Sequence, residues 1–198
     1  MIIHDVQEYV TWNVQPPPFH IQELLPKGGT LLLYGVTGAM KSWVAQHMAF
    51  CIATGSDWLT FHTVQGKCLL ANFEISSATY HHRLCMMNRN FSLEPMMLYE
   101  TSPSIFFLDQ DNNFDIFREQ VEAINPAVII LDCISGCFGG DENDGREMSN
   151  FIRLMTELRG EERSLILVHH SNKNSLAQGT DRSRGHTKLT GWVDTILH

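Results

Sequence analysis

The segment Gly35, Val36, Thr37, Gly38, Ala39, Met40, Lys41, Ser42 carries, in order, the residue types that close a backbone cradle around a phosphate chain, and Trp43 and an apolar run follow it directly. Glycines let main-chain amides turn inward, and the N-terminus of a following helix favours an anion. The lysine brings a positive charge to β- and γ-phosphates, and the serine hydroxyl can ligate magnesium. Residues 35 to 43 are therefore candidate nucleotide contacts, with ATP and Mg2+ as the ligands. Loops of this kind have glycine where this chain has Met40. Gly38 is expected to take the positive φ, and Met40 a helical conformation that a side chain tolerates.

Three further positions could do chemistry beside that loop. Asp132 ends the apolar run NPAVIILD, where its carboxylate could hold a magnesium-bound water next to Ser42, so Ser42 and Asp132 form the candidate metal set. Glu74 ends CLLANFE and could polarise the water that attacks a γ-phosphate; it also reads as an acid at a helix start before Ser76 and Ser77, which resemble N-caps. His169 and His170 end SLILVHH and could sense whether the γ-phosphate is present. Strand alternation lets only one of the two face the nucleotide, and spacing does not say which.

These residues need strands that end together and helices that start there, and the chain has that rhythm. Strands are expected at Thr30 to Tyr34, 67 to 73, 96 to 100, 127 to 132 and 164 to 169, with a short last one from Trp192 to Leu197. Helices are expected at about 41 to 53, 77 to 88, 112 to 124 and 146 to 159. Tyr80, Leu84 and Met87, then Phe114, Phe117, Val121 and Ile124, then Met148, Phe151, Ile152 and Met155 form core stripes at helical spacing. The runs LLLY and AVIIL are apolar on both pleat faces, as in central parallel strands covered on each side. The expected fold is α/β, a three-layer sandwich around a central, mostly parallel sheet, with ligands at the carboxyl ends of its strands.

Residues 1 to 29 read as an N-terminal segment, broken by Pro16, Pro17 and Pro18 and closed by the turn Pro26, Lys27, Gly28, Gly29; residues 30 to 198 read as the ATPase domain. Residues 171 to 188 lack apolar periodicity and read as a long loop. Lys173, Arg182, Arg184 and Lys188 there face a single acid, Asp181, in a chain whose formal net charge is −8. Acidic balance disfavours a uniform grip on nucleic acid, so any contact would be local to this loop.

At 198 residues and 43% hydrophobic composition, the chain can bury one core without staples. No run approaches the roughly 18 apolar residues of a membrane span, and no secretory signal opens it, so a soluble cytoplasmic protein is expected. The five cysteines, at 51, 68, 85, 133 and 137, read as reduced core thiols. The Cys133/Cys137 pair and the pairs His81/His82 and His169/His170 lack the spacing of a zinc motif.

The ordered set LLPKGGTLLLYG, GVTGAMKSW, NFE with HHRL, VIILD, LVHHSNK, SRG and WVDTIL resembles the RecA-like P-loop ATPases over roughly residues 20 to 198. It resembles in particular hexameric replicative helicases of plasmids and phages and their single-domain relatives in the AAA_25 group. The resemblance implies a RecA-like P-loop NTPase core, phosphate and magnesium contacts at Lys41 and Ser42, and a water-activating acid at Glu74. It implies a magnesium-site acid at Asp132 and a sensor at His170 or His169. It also implies a homo-oligomeric ring, often of six subunits, with ATP at the subunit boundary and single-stranded DNA along the 171 to 188 loops, and it leaves a bacterial, plasmid or viral origin open. The arginine that some relatives carry near the end of the chain is missing, and Arg182 and Arg184 are the substitutes.

Three functions remain in play at this level. One is Mg-dependent ATP hydrolysis coupled to DNA, as a replicative helicase or a recombination and repair ATPase. Another is a nucleotide-dependent DNA-binding or annealing module with little hydrolysis. The third, a P-loop small-molecule kinase, fits less well, because Glu74 and the histidines suit water activation better than transfer to a bound acceptor.

Overall fold

A computed structural model of the chain describes residues 3–13, 18–95, 97–102, 105–170 and 184–198. Its centre is a six-stranded sheet in the order β5-β4-β6-β7-β3-β8, every neighbouring pair parallel. The strands are β3 (Thr30–Gly35), β4 (Cys68–Asn72), β5 (Leu98–Thr101), β6 (Val128–Asp132), β7 (Ser164–His170) and β8 (Thr195–Leu197).

Alternate residues of each central strand serve opposite cores, which is why both pleat faces are apolar. Leu32, Leu69, Ile129, Leu131, Leu165 and Leu167 face one layer. There they meet Phe114, Phe117 and Val121 of α4 (Asn113–Ile124) and Met148, Phe151, Met155 and Leu158 of α6 (Gly145–Arg159). Leu31, Leu33, Leu70, Ile130, Ile166 and Val168 face the other. That layer is built from Ala45, Met48, Ala49 and Ile52 of α2 (Lys41–Thr54) and Tyr80 of α3 (Ser77–Asn88). This is the three-layer α/β sandwich of a RecA-like P-loop core. Removing one such leucine would cost about 2–5 kcal/mol, cavity included.

The N-terminal segment contributes to the second layer. After a short α1 (Val6–Tyr9), the hairpin of β1 (Phe19–Ile21) and β2 (Leu25–Pro26) places Ile21 and Leu25 at 0% exposure in that core. Gly28 (φ +76) then closes the turn into β3.

Four expectations are corrected. Of the loop expected from 171 to 188, residues 171–183 lie outside the described residues and 184–188 belong to helix α7 (Arg184–Trp192); the last strand starts at Thr195, not at Trp192. The cause is a short apolar stripe: Leu189 is fully buried, and Trp192 and Val193 pack with it against the layer holding α6. Cys85 is exposed on α3, so the thiols at 51, 68, 133 and 137 are core and that one is not. Leu84 and Met87 are only half-buried beside the fully buried Tyr80. Among the described residues no helix is long and apolar enough to cross a membrane.

Candidate active site at the carboxyl edge of the sheet

Parallel pairing in register brings the chemistry-bearing strand ends into one row. Gly35 pairs with His170, Asp132 with Val168, and Asn72 with Asp132, so β3, β7, β6 and β4 finish side by side. Residues far apart in the chain become neighbours because hydrogen-bond ladders of adjacent parallel strands fix their relative height.

Beyond β3 the loop turns through Gly38 (φ +88), where an added Cβ would meet nothing within 4 Å, and enters α2. The positive φ is that expected of Gly38. Met40 departs from expectation: its φ of 58 and ψ of 19 are left-handed, not helical, and its side chain is 70% exposed without capping the helix. The glycine of the usual loop is missing at the position whose backbone wants one, at a cost of about 1–2 kcal/mol.

Lys41, the first residue of α2, is buried, and its ammonium donates to the carbonyl oxygens of Gly35 and Val36, both at 2.9 Å. It also lies 2.9 Å from His170 Nδ1. An ammonium only donates, so Nδ1 accepts and the ring proton sits on Nε2, which donates to Glu74 Oε2 at 3.1 Å. Lys41, His170 and Glu74 thus form one chain of hydrogen bonds. Burial lowers the Lys41 pKa, and the charge of Glu74 opposes that shift most. The neighbouring His169 is buried and lies against Tyr34, ring centroids 5.6 Å apart. Of the two histidines, His170 is the one in the row.

Ser42 Oγ donates to Asp132 Oδ1 at 3.0 Å, while Asp132 Oδ2 is buried with no hydrogen-bond partner among the described residues. Burial pushes the Asp132 carboxyl up to about 6, against the Ser42 hydrogen bond. A buried carboxylate oxygen lacking a partner, beside a hydroxyl, is a donor set suited to a hard divalent cation such as Mg2+. The residues present fit that ion.

Glu74 stands on the turn between β4 and α3, and that turn is fixed from three sides. Asn72 Oδ1 accepts from the amides of Glu74 and Ile75, and its Nδ2 donates to the Ile75 carbonyl. Ser76 caps α3 by accepting from the Thr79 amide at 3.4 Å. Behind the turn lies α5 (Ile134–Cys137), where a Cβ at Gly136 would collide with the Phe73 carbonyl oxygen, so only glycine lets that helix pack so closely. Trp43, also counted among the nucleotide contacts, has the Arg83 guanidinium 5.1 Å from its ring centroid.

Two residues that spacing did not point to join the site. Cys133 directly follows Asp132; its Sγ lies 3.0 Å from Ser135 Oγ, and burial pushes the thiol up to about 11. Ligand atoms of Glu74, Cys133 and His170 all lie within 4.8 Å of one another. Glu142 has a buried carboxylate oxygen with no hydrogen-bond partner among the described residues; burial raises its pKa and His170 opposes the rise. A glutamate in a polar, glycine-flanked stretch gives no sequence signal.

The candidate DNA-contacting residues are placed less fully. Lys173 and Arg182 lie outside the described residues, as does the side chain of Arg184, which opens α7. Lys188 Nζ donates to the Gly145 carbonyl at 2.7 Å and to Ser149 Oγ at 2.6 Å, which ties α7 to the start of α6.

No curated protein matches the chain. The family model AAA_25, described as AAA domain, matches residues 5–175, a stretch that contains the loop, all four strand ends and both layers of the sandwich. With that match and this row of strand ends, the chain belongs to the AAA_25 family of AAA domains, a P-loop ATPase-type family.

Proposed function

We propose that the chain binds ATP with magnesium and hydrolyses it, and that hydrolysis is coupled to single-stranded DNA in a homo-oligomeric ring, as in a replicative helicase or a recombination ATPase. The observation that carries the hydrolytic reading is the hydrogen-bonded chain Lys41–His170–Glu74 beside the Ser42–Asp132 pair. In this reading the amides of residues 35 to 42 cradle the phosphates, and Lys41 exchanges its loop carbonyls for phosphate oxygens. Magnesium, held by Ser42 and Asp132, would offset charge on those oxygens. Glu74 orients the attacking water and takes its proton. Lys41 leaving Nδ1 would remove one of the two hydrogen bonds that hold the His170 ring, while Nε2 keeps Glu74. Phosphate occupancy is thereby felt at the water-activating acid, a role for His170, with His169 left to the core.

Coupling to DNA and the ring rest on the family and on the cationic residues Lys173, Arg182, Arg184 and Lys188. For Lys188 to reach a phosphate it must leave Gly145 and Ser149, so DNA and the start of α6 would compete for it. The domain boundary near residue 30, an arginine reaching a neighbouring subunit from Arg182 or Arg184, and an intracellular location belong to the same reading.

Two observations favour a second reading, a nucleotide-dependent binding or annealing module with little turnover. The left-handed Met40 strains the loop, and Lys41 is already fully engaged. Phosphate release measured with and without single-stranded DNA separates the two. Lys41→Ala should abolish nucleotide binding, and Glu74→Gln should keep it while slowing hydrolysis at least about a hundredfold. Normal hydrolysis by Glu74→Gln would refute the catalytic assignment. Absent hydrolysis with intact binding in the parent chain would select the second reading. Phosphate release without an acceptor also disposes of a kinase.

A further inference from the structure

We propose that Glu74, Cys133 and His170 form a binding site for a thiophilic divalent cation of the Zn2+ class, and that its occupancy shuts off the ATP site. Glu74 and Cys133 lie just past the ends of β4 and β6, and His170 ends β7, so a carboxylate, a thiol and an imidazole from three strand ends converge with ligand atoms within 4.8 Å of one another. Carboxylate oxygen, thiolate sulfur and imidazole nitrogen are the three donor types that zinc accepts, and three protein ligands leave a fourth position for water. A thiolate discriminates against the hard Mg2+, which belongs at Ser42 and Asp132 instead.

The surroundings are arranged for such an ion. Ser135 Oγ, 3.0 Å from Cys133 Sγ, can donate to the sulfur once it is a thiolate and so steady it from outside the ligand set. His170 turns Nδ1 towards the Lys41 ammonium, which repels a cation, and Nε2 towards Glu74, so Nε2 is the binding nitrogen. On binding, the Cys133 thiol proton leaves to solvent as the metal–sulfur bond forms. The Nε2 proton is replaced by one on Nδ1 through exchange with water. Lys41 then gives up its contact with His170 but keeps the Gly35 and Val36 carbonyls. One proton is released per ion bound. The inhibitory half rests on the proposed hydrolytic role of Glu74, whose carboxylate cannot both ligate the ion and take a proton from water. The binding half does not.

The test uses the intact chain, stripped with a chelator and titrated with Co2+ as a spectroscopic probe. One equivalent should give a thiolate-to-cobalt charge-transfer band and the ligand-field bands of a tetrahedral ion, and Zn2+ should displace it. Cys133→Ser, with Cys133→Ala as a second variant should the first fail to fold, should lose the charge-transfer band, and His170→Gln should weaken cobalt binding. Zn2+ added to MgATP turnover should inhibit it reversibly, a chelator restoring the rate. In Cys133→Ser, with each rate taken relative to that variant's own zinc-free rate, the inhibitory zinc concentration should rise at least about tenfold. No charge-transfer band in the parent would overturn the proposal. So would a band that survives loss of Cys133, which would trace to the exposed Cys85, whose Sγ lies 3.4 Å from His81 Nε2. A cobalt band in a chain that never hydrolyses ATP would uphold the site and refute the catalytic reading, so the two fail separately.

Discussion

Replacing Met40 by glycine should make the unliganded protein more stable, although it deletes an entire apolar side chain. Met40 holds φ 58 and ψ 19, a left-handed conformation that costs an L-residue about 1–2 kcal/mol. The side chain is 70% exposed, so its removal forfeits little burial. Against the gain stands the extra freedom glycine gives the unfolded chain, about 0.4–1 kcal/mol. The balance is a stabilisation of up to about 1.6 kcal/mol, which for a chain of this length raises Tm by up to about 6 °C. Denaturant and thermal unfolding measure it, with Met40→Ala as the decisive control. Alanine keeps the β-carbon that causes the strain, so it should gain nothing. If Met40→Gly is less stable than the parent, or if Met40→Ala gains as much, backbone strain at this loop is not the cause.

Two pH effects follow from burial, with opposite signs. His20 is 3% exposed, and burial, helped by Lys27, lowers its pKa from 6.5 to about 4. The unfolded chain takes up that proton first, so this contribution is whole above pH 6.5 and is lost as pH falls towards 4, about 3 kcal/mol in all. Unfolding at a series of pH values should show a shallower acid slope in His20→Leu; an unchanged slope would refute it. Asp132 is raised to about 6, so the unliganded fold takes up its proton before the unfolded chain does, and its contribution grows as pH falls from 6 towards 3.8. Magnesium must displace that proton, so the apparent affinity for Mg-nucleotide should fall up to about tenfold per pH unit below pH 6, a loss that Asp132→Asn should not show in binding titrations.

The sequence alone determined the α/β alternation, because strand runs such as LLLY and VIILD must be buried on both faces and the helical stripes must cover them. It also marked Gly35 to Ser42, Glu74 and Asp132, because strand-end acids and a glycine-lysine-serine loop are local patterns, read within a few residues. Even α7 had a local signal in Leu189, Trp192 and Val193, spaced as one helical face but hidden behind a polar stretch. What spacing could not decide was anything depending on the relative heights of strands. His170 rather than His169 joins Lys41 because the pairing of Gly35 with His170 turns one ring towards the loop and the other towards Tyr34. Met40 is left-handed because the loop's path into α2, not the residue's own preference, sets its φ. Glu74, Cys133 and His170 meet only because three parallel strands end level, so their convergence belongs to the sheet and to no motif.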